Sequence, residues 1–297
     1  MMAVADFIFG VLSLGSLYAL MALGLVIVYG ILRLVNFAYG ELVMVAGYTL
    51  YLMNGSPIPW FVMGGAAVIA AIVTSVLTER IAFRPVRDKS LTAMLITSFA
   101  MSTLLQNAAL LLISPRSRAV PLPEIFTQRV MIGDLSVQAR DIMAVIVTFV
   151  LLGLLTLLLN RTILGIALRA AAENMRMTRM LGVPANLLIS LAFAISGLLA
   201  GTVALFWLGR TASVTPTIGL EPLIVAFVAT VLGGMNSLVG AVVGGYALAF
   251  LTVAINTFLP QELVDYRQVF TFTLVILVLL FRPEGLVRSR LGNGLRP

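Results

Sequence analysis

Long apolar runs constrain this chain more than any other feature. A helix needs about 20 apolar residues to cross roughly 30 Å of hydrocarbon, and segments 7–32, 60–78, 91–113, 142–159, 187–208 and 269–281 are the clear candidates. Inside a bilayer no water satisfies the backbone, so each crossing must close its own hydrogen bonds as a helix. Two further runs, 42–53 and 222–233, are shorter, and each adjoins a polar break containing glycine. The second covers only about 18 Å at 1.5 Å per residue, so both read as broken or partly inserted helices. Segment 238–259 is again long enough to cross. The expectation is an all-α, polytopic membrane bundle of about 8–9 crossings, with broken or re-entrant helices, forming one transmembrane domain over residues 1–297.

Composition narrows the chemistry. Hydrophobic residues make up 61% and charged residues 10%, where a soluble domain carries about 25% charge. The net charge of +7 lies in short blocks between apolar runs, which reads as a topology signal rather than a nucleic-acid surface. With no Cys and no His, disulfides, thiolate nucleophiles, zinc sites and imidazole acid–base chemistry are all excluded. Lys89 is the only lysine and falls in a loop, so a Ser–Lys hydrolase has no partner pair either. Neither enzyme activity nor a cofactor is expected of this chain. Met1–Asp6 carries no Lys or Arg and no small-residue cleavage site follows, so the first apolar segment is expected to be retained.

Basic residues set the orientation, because they favour the cytoplasmic side. Alternate loops holding Arg33, Arg80, Arg84, Arg87, Lys89, Arg161, Arg169, Arg176, Arg179, Arg282, Arg288, Arg290 and Arg296 carry 13 of the 19 basic residues. The opposite side holds Arg116, Arg118, Arg129, Arg140, Arg210 and Arg267. An outside N-terminus and a cytoplasmic C-terminus follow, with nine crossings.

Two stretches align by eye. Asn36-Phe-Ala-Tyr-Gly40, Gly47-Tyr48 and Phe83-Arg84-Pro85 match Asn236-Ser-Leu-Val-Gly240, Gly245-Tyr246 and Phe281-Arg282-Pro283, with Asn-to-Phe spacings of 47 and 45 residues. This reads as a parallel helix–turn–helix repeat, although Arg-Pro also simply ends helices at an interface. Breaks in corresponding positions of a repeat point to a substrate path.

Polar groups inside apolar runs are costly and therefore informative. Asn36, Glu41, Gln106, Asn107, Asn236, Ser237 and Asn256 are those groups here. Glu41 has open alternatives: binding a cation, relaying protons or holding an amine, against capping a helix N-terminus or pairing with Arg33. Gln106 and Asn107 suit hydrogen bonding between helices, and Asn236 with Ser237 suits a turn that also lines a path. Gly197 with Gly201 and Gly240 with Gly244 allow close helix packing. Asn36, Tyr39, Glu41, Asn236 and Ser237 are the candidates for the substrate path.

The segment 160–186 contains strong helix formers followed by Gly182 and Pro184, and predicts a short amphipathic helix at the membrane surface. It either rests on anionic lipid or docks a soluble partner. The second role matters because the chain has no Gly-x-x-x-x-Gly-Lys-Ser/Thr phosphate loop of its own. Four motifs occur in order: Asn36-Phe-Ala-Tyr-Gly-Glu41, Arg169-Ala-x-x-Glu-Asn174 continuing to Gly182, Gly233-Gly-Met-Asn-Ser237 continuing to Gly240, and Leu280-Phe-Arg-Pro-Glu-Gly285. With them the chain resembles, over nearly its whole length, the membrane permease of the branched-chain amino acid ABC importers. That resemblance implies a second, related permease subunit, two cytoplasmic ATPases that hydrolyse ATP, and a periplasmic binding protein. It further implies that Arg169, Glu173, Asn174, Arg176 and Gly182 belong to a coupling helix seated on an ATPase. Tyr39 stands where the family often has His, and Thr178 where it often has a small apolar residue. Related permeases also serve short amides, urea and other hydrophobic acids. The competing class is an ion-coupled carrier or channel working through Glu41, against which stands the lack of Asp, Lys or His within the other helices.

Overall fold

The computed structural model describes residues 2–287 except Ser56, Pro121, Gly133, Asp134 and Glu284. Arg288, Arg290 and Arg296, used above for orientation, and Glu284 of the last motif lie outside the described residues. Among the described residues eleven helices dominate: α1 (Met2–Leu32), α2 (Glu41–Leu52), α3 (Trp60–Thr78), α4 (Leu91–Leu112), α5 (Glu124–Thr127), α6 (Ala139–Arg161), α7 (Ile163–Met180), α8 (Ala185–Thr211), α9 (Leu220–Gly233), α10 (Leu238–Phe258) and α11 (Arg267–Phe281). A single π-helical turn, Glu79–Phe83, extends α3, and a 3₁₀ turn, Phe37–Tyr39, precedes α2. Among the described residues, six helices are long and apolar enough to cross a membrane, while α2, α9 and α11 are shorter, so the run 269–281 falls with the short segments rather than with the clear crossings.

Between α4 and α6 the chain adds short strands that apolar periodicity did not foretell. Strand β1 (Arg118–Ala119) pairs antiparallel with β4 (Ser213–Val214), and β2 (Arg129–Ile132) pairs with β3 (Leu135–Gln138) as a hairpin. These define one end of the bundle, the strand end. The opposite end carries α7.

Helix α1 is apolar all round and forms the centre, with residues 15–28 continuously buried. An all-round apolar helix has no face suited to water and takes the middle of the bundle. Helices α4 and α6 leave most of their surface exposed, as membrane-facing helices do.

The helix packing also relates α1–α4 to α8–α11, a correspondence other than the one aligned by eye in the sequence. Helix order long, short, long recurs as α1–α3 and α8–α10, each followed by a fourth helix, α4 of 22 residues and α11 of 15, and the two units run in opposite senses. Ser13 of α1 meets Arg210 near the end of α8 at 2.8 Å, while Val28 clusters with Ile189 and Phe193 near the start of α8. Helix α10 packs antiparallel on α1, with Ser16 bonded to Tyr246 at 3.0 Å and Gly10 beside Val253. In the same way α3 packs antiparallel on α8, with Gly197 against Ala71 and Ile72, Gly201 against Val68, and Ser75 donating to the Phe193 carbonyl at 2.6 Å. Asn36 and Asn236 therefore do not occupy equivalent places. The two Phe-Arg-Pro triplets resemble each other because both end a helix at the α7 end, where Pro stops the ladder. Gly240 and Gly244 bring α10 onto the backbone of α9 at Gly233 and Ala229.

Candidate functional site

The polar residues of the first motif begin as local backbone chemistry. Asn36 accepts from the Ala38 amide at 3.1 Å and caps the 3₁₀ turn. That turn delivers the chain to the start of α2, deep in the bundle. Gly40 there lies directly against Gly219, the residue before α9; a Cβ on either would fall 2.1–2.5 Å from the other's carbonyl oxygen. Two short helices thus begin tip to tip, α2 running toward the strand end and α9 toward the α7 end. Their N-termini concentrate unsatisfied amides and partial positive charge at one place.

Glu41, the first residue of α2, is fully buried. Its Oε1 accepts from Ser102 at 2.9 Å and Gln106 at 2.6 Å, both on α4. Oε2 is buried with no partner among the described residues, as is the Tyr39 hydroxyl. Tyr39 packs on α1 at Gly24, where a Cβ would lie 2.2 Å from the hydroxyl. Gln106 thus bonds between helices as anticipated, whereas Asn107 turns back to the Thr103 carbonyl of its own helix at 2.8 Å.

The anticipated pair of Glu41 with Arg33 is not made. Arg33 has a left-handed backbone, φ 55°, an uncommon conformation for a side chain of this size. This turns its guanidinium away from 34–41. Nη1 donates to Asn236 Oδ1 at 2.7 Å and Nη2 to the Ala172 carbonyl at 2.7 Å. Next to Asn236, Ser237 caps α10 by accepting from the Gly240 amide at 2.9 Å. The last motif closes on the same spot: Leu286 and Val287 donate to the carbonyls of Leu232 and Gly233 at 2.8 and 3.1 Å. Gly285, at φ 83°, lies against Gly234. Three of the four sequence motifs therefore meet at a junction around Arg33, and the first begins three residues along the chain from it.

Helix α7 is not one continuous helix. Asn174 leaves helical geometry (φ −152°, ψ 94°) and its Oδ1 accepts from the Met177 amide at 3.0 Å, capping a second, short helical piece. Gly182, at φ 83°, ends that piece. Arg169 reaches back to Asn160 at 3.2 Å, while Glu173 and Arg176 are exposed. Met177, Met180 and Leu181 are 58%, 69% and 82% exposed, an apolar strip rimmed by those charges.

Beside it lies an ionic cluster that the sequence reading missed. Glu79, fully buried in the π-helical turn, accepts from Arg84 at 3.0 Å and from Ser190 at 2.7 Å. Arg87 stands 3.9 Å away and also bonds Asn186, and Asp88 pairs with Arg179 of α7 at 3.5 Å. Glu221, exposed in the first turn of α9 beside the Gly40–Gly219 contact, was missed as well. The signal available for it was an acid followed by Pro222 at the head of an apolar run.

A bundle of membrane-length helices, with two short helices starting tip to tip inside it and a surface helix at one end, belongs to the class of polytopic membrane transport proteins. Residues 7–279 match the family of the branched-chain amino acid transport system permease component, and the chain belongs to that family. It is similar to the high-affinity branched-chain amino acid transport system permease protein BraD of Pseudomonas aeruginosa, 38% identical over 290 residues and 93% of each chain. LivH of Escherichia coli, named for the same system, is 34% identical over 293 residues, 94% of each chain. A more distant likeness is to the ribose import permease protein RbsC of Haemophilus influenzae, 28% identical over 140 residues, which covers 45% of this chain and 42% of that one. The protein is a multi-pass inner-membrane permease rather than an enzyme.

Proposed function

We propose that this chain is the permease subunit of an ATP-driven ABC importer, moving branched-chain or other hydrophobic amino acids, or related small compounds, inward across the cytoplasmic membrane. The observation that carries the reading is the second piece of α7, an exposed Met177–Met180–Leu181 strip rimmed by Glu173, Arg176 and Arg179, on a chain with no nucleotide-binding loop. Soft apolar side chains within a charged rim suit a protein groove. The α7 end faces the cytoplasm, consistent with Arg33, Arg84, Arg87 and Arg179 gathered there, and the N-terminus lies outside.

The assembly contains a second, related permease, two ATPases docked on segment 169–182 and a periplasmic binding protein. Substrate passes between the two permeases along the place where α2 and α9 begin. Asn36, Tyr39 and Glu41 shape that place from the α2 side, and Asn236 and Ser237 shape its cytoplasmic mouth. The exposed face of α9, Leu220, Glu221, Ile224 and Phe227, meets the substrate or the partner permease. Purification of the tagged chain from its host in mild detergent, with mass spectrometry of bound proteins, tests this. Two ATPases and a second permease are expected to co-purify. A folded chain recovered alone, with uptake that follows an ion gradient, would overturn the reading in favour of a gradient-driven carrier.

A further inference from the structure

Resting on that reading, we infer that Arg33 is the positioning residue that ties movement of the ATPase-docked segment to both short helices at once. Its side chain is the only described one bonded both to α7 and to the α9–α10 break: Ala172 O and Asn236 Oδ1, each at 2.7 Å. Ala172 sits two residues before the non-helical Asn174, so it ends the first piece of α7 at the hinge with the docking piece. Asn236 sits three residues after α9, whose last carbonyls are clasped by Leu286 and Val287. Arg33 itself begins segment 33–40, which leads to α2 through one 3₁₀ turn, Phe37–Tyr39.

A shift of the docking piece therefore pulls, through one guanidinium, on the root of α2 and on the foot of α9. These two helices meet at Gly40 and Gly219, in backbone contact with no side chain between them. Parting there opens or closes the place where both helices begin. A planar guanidinium presents separate N–H groups to two acceptors in fixed directions, which an ammonium does not do. The left-handed backbone of Arg33 points the same way: glycine suits that conformation better than arginine, so the local fold alone gives no reason for this side chain.

Arg33→Gly therefore spares the fold. Arg33→Gly removes the guanidinium and relieves the backbone. The complete transporter, with its ATPases, partner permease and binding protein, is reconstituted in proteoliposomes, and leucine uptake and ATP hydrolysis are measured together. Arg33→Gly is expected to match the wild type in yield and thermal stability and to keep hydrolysing ATP, while uptake per ATP falls roughly tenfold. Asn236→Ala, which removes one of the two acceptors, is expected to fall part of the way, and Arg33→Lys to recover part of the loss. The double variant Arg33→Gly/Asn236→Ala is expected to be no worse than Arg33→Gly alone, as for two residues acting through one bond. Wild-type uptake per ATP in Arg33→Gly, or additive losses in the double variant, overturns the inference alone. If the wild-type assembly shows no ATP-dependent uptake, the importer reading and this inference fall together.

Discussion

At the scale of single residues, buried carboxylates are the most exacting features of this chain. Glu79 is fully buried and balances Arg84 and Arg87, whose side chains are 34% and 11% exposed. Removing one member of such a set leaves uncompensated charge, at a cost of about 3–5 kcal/mol. Glu79→Ala is therefore expected to lower the thermal unfolding temperature in detergent sharply and to reduce yield, and Glu79→Gln to do so less. Glu41 holds α4 to α2 through Ser102 and Gln106, and such bonds between membrane helices contribute about 0.6–1.7 kcal/mol each. Glu41→Gln, which still accepts from Ser102, should keep normal stability and lower uptake only modestly. Complete loss of uptake at normal expression would instead assign Glu41 to the path itself. Glu41 was legible in sequence as an acid in an apolar run, but its partners were not, because Ser102 and Gln106 lie 61 and 65 residues further along the chain, on α4. Arg33 entered the sequence reading only as one possible partner of Glu41; its left-handed backbone turns the side chain to Asn236 and Ala172 instead.

At the scale of elements, close backbone contact at glycine sets the helix pairs. Gly201 lies in α8 with a Cβ position 2.9 Å from the Val68 Cα of α3. Gly201→Leu forces α3 and α8 apart and should cost at least the 1–3 kcal/mol typical of overpacking, read as a fall in unfolding temperature. Gly153, in α6, has nothing within 4 Å of its Cβ position. Gly153→Ala should be neutral or should stabilise by about 0.5–1 kcal/mol through helix propensity, a matched control in the same assay. Apolar run length placed the helices, and the structure adds what fixes some of their starts: Ser90, Thr162 and Ser237 each accept from an amide three residues on. The break at Asn174 was not, since 169–180 is rich in helix formers and nothing in that run forbids one straight helix. The strands β1 and β4 escaped notice because two-residue ladders have no periodicity to detect.

For the whole molecule, the docking role predicts a defined failure. Glu173→Lys with Arg176→Glu reverses the charges around the exposed α7 strip and leaves the buried face of α7, Leu168, Ala171 and Thr178, untouched. Membrane insertion and amount should be normal, while ATP hydrolysis and uptake become uncoupled in reconstituted vesicles; unchanged uptake would remove the docking role. What the sequence by itself determined is the membrane class, the order of the apolar helices, the glycines that pack and the family, because apolar run length and ordered motifs are local properties. What only the tertiary structure decided is which unit repeats against which, and which motifs meet. The opposite senses of α1 and α8, and of α2 and α9, emerge only from long-range packing, because run length and motif order do not say which helix lies against which. The convergence of Arg33, Ala172, Asn236 and Gly285 likewise depends on four distant chain segments arriving at one end of the bundle, and that arrival is set by helix packing rather than by any local preference.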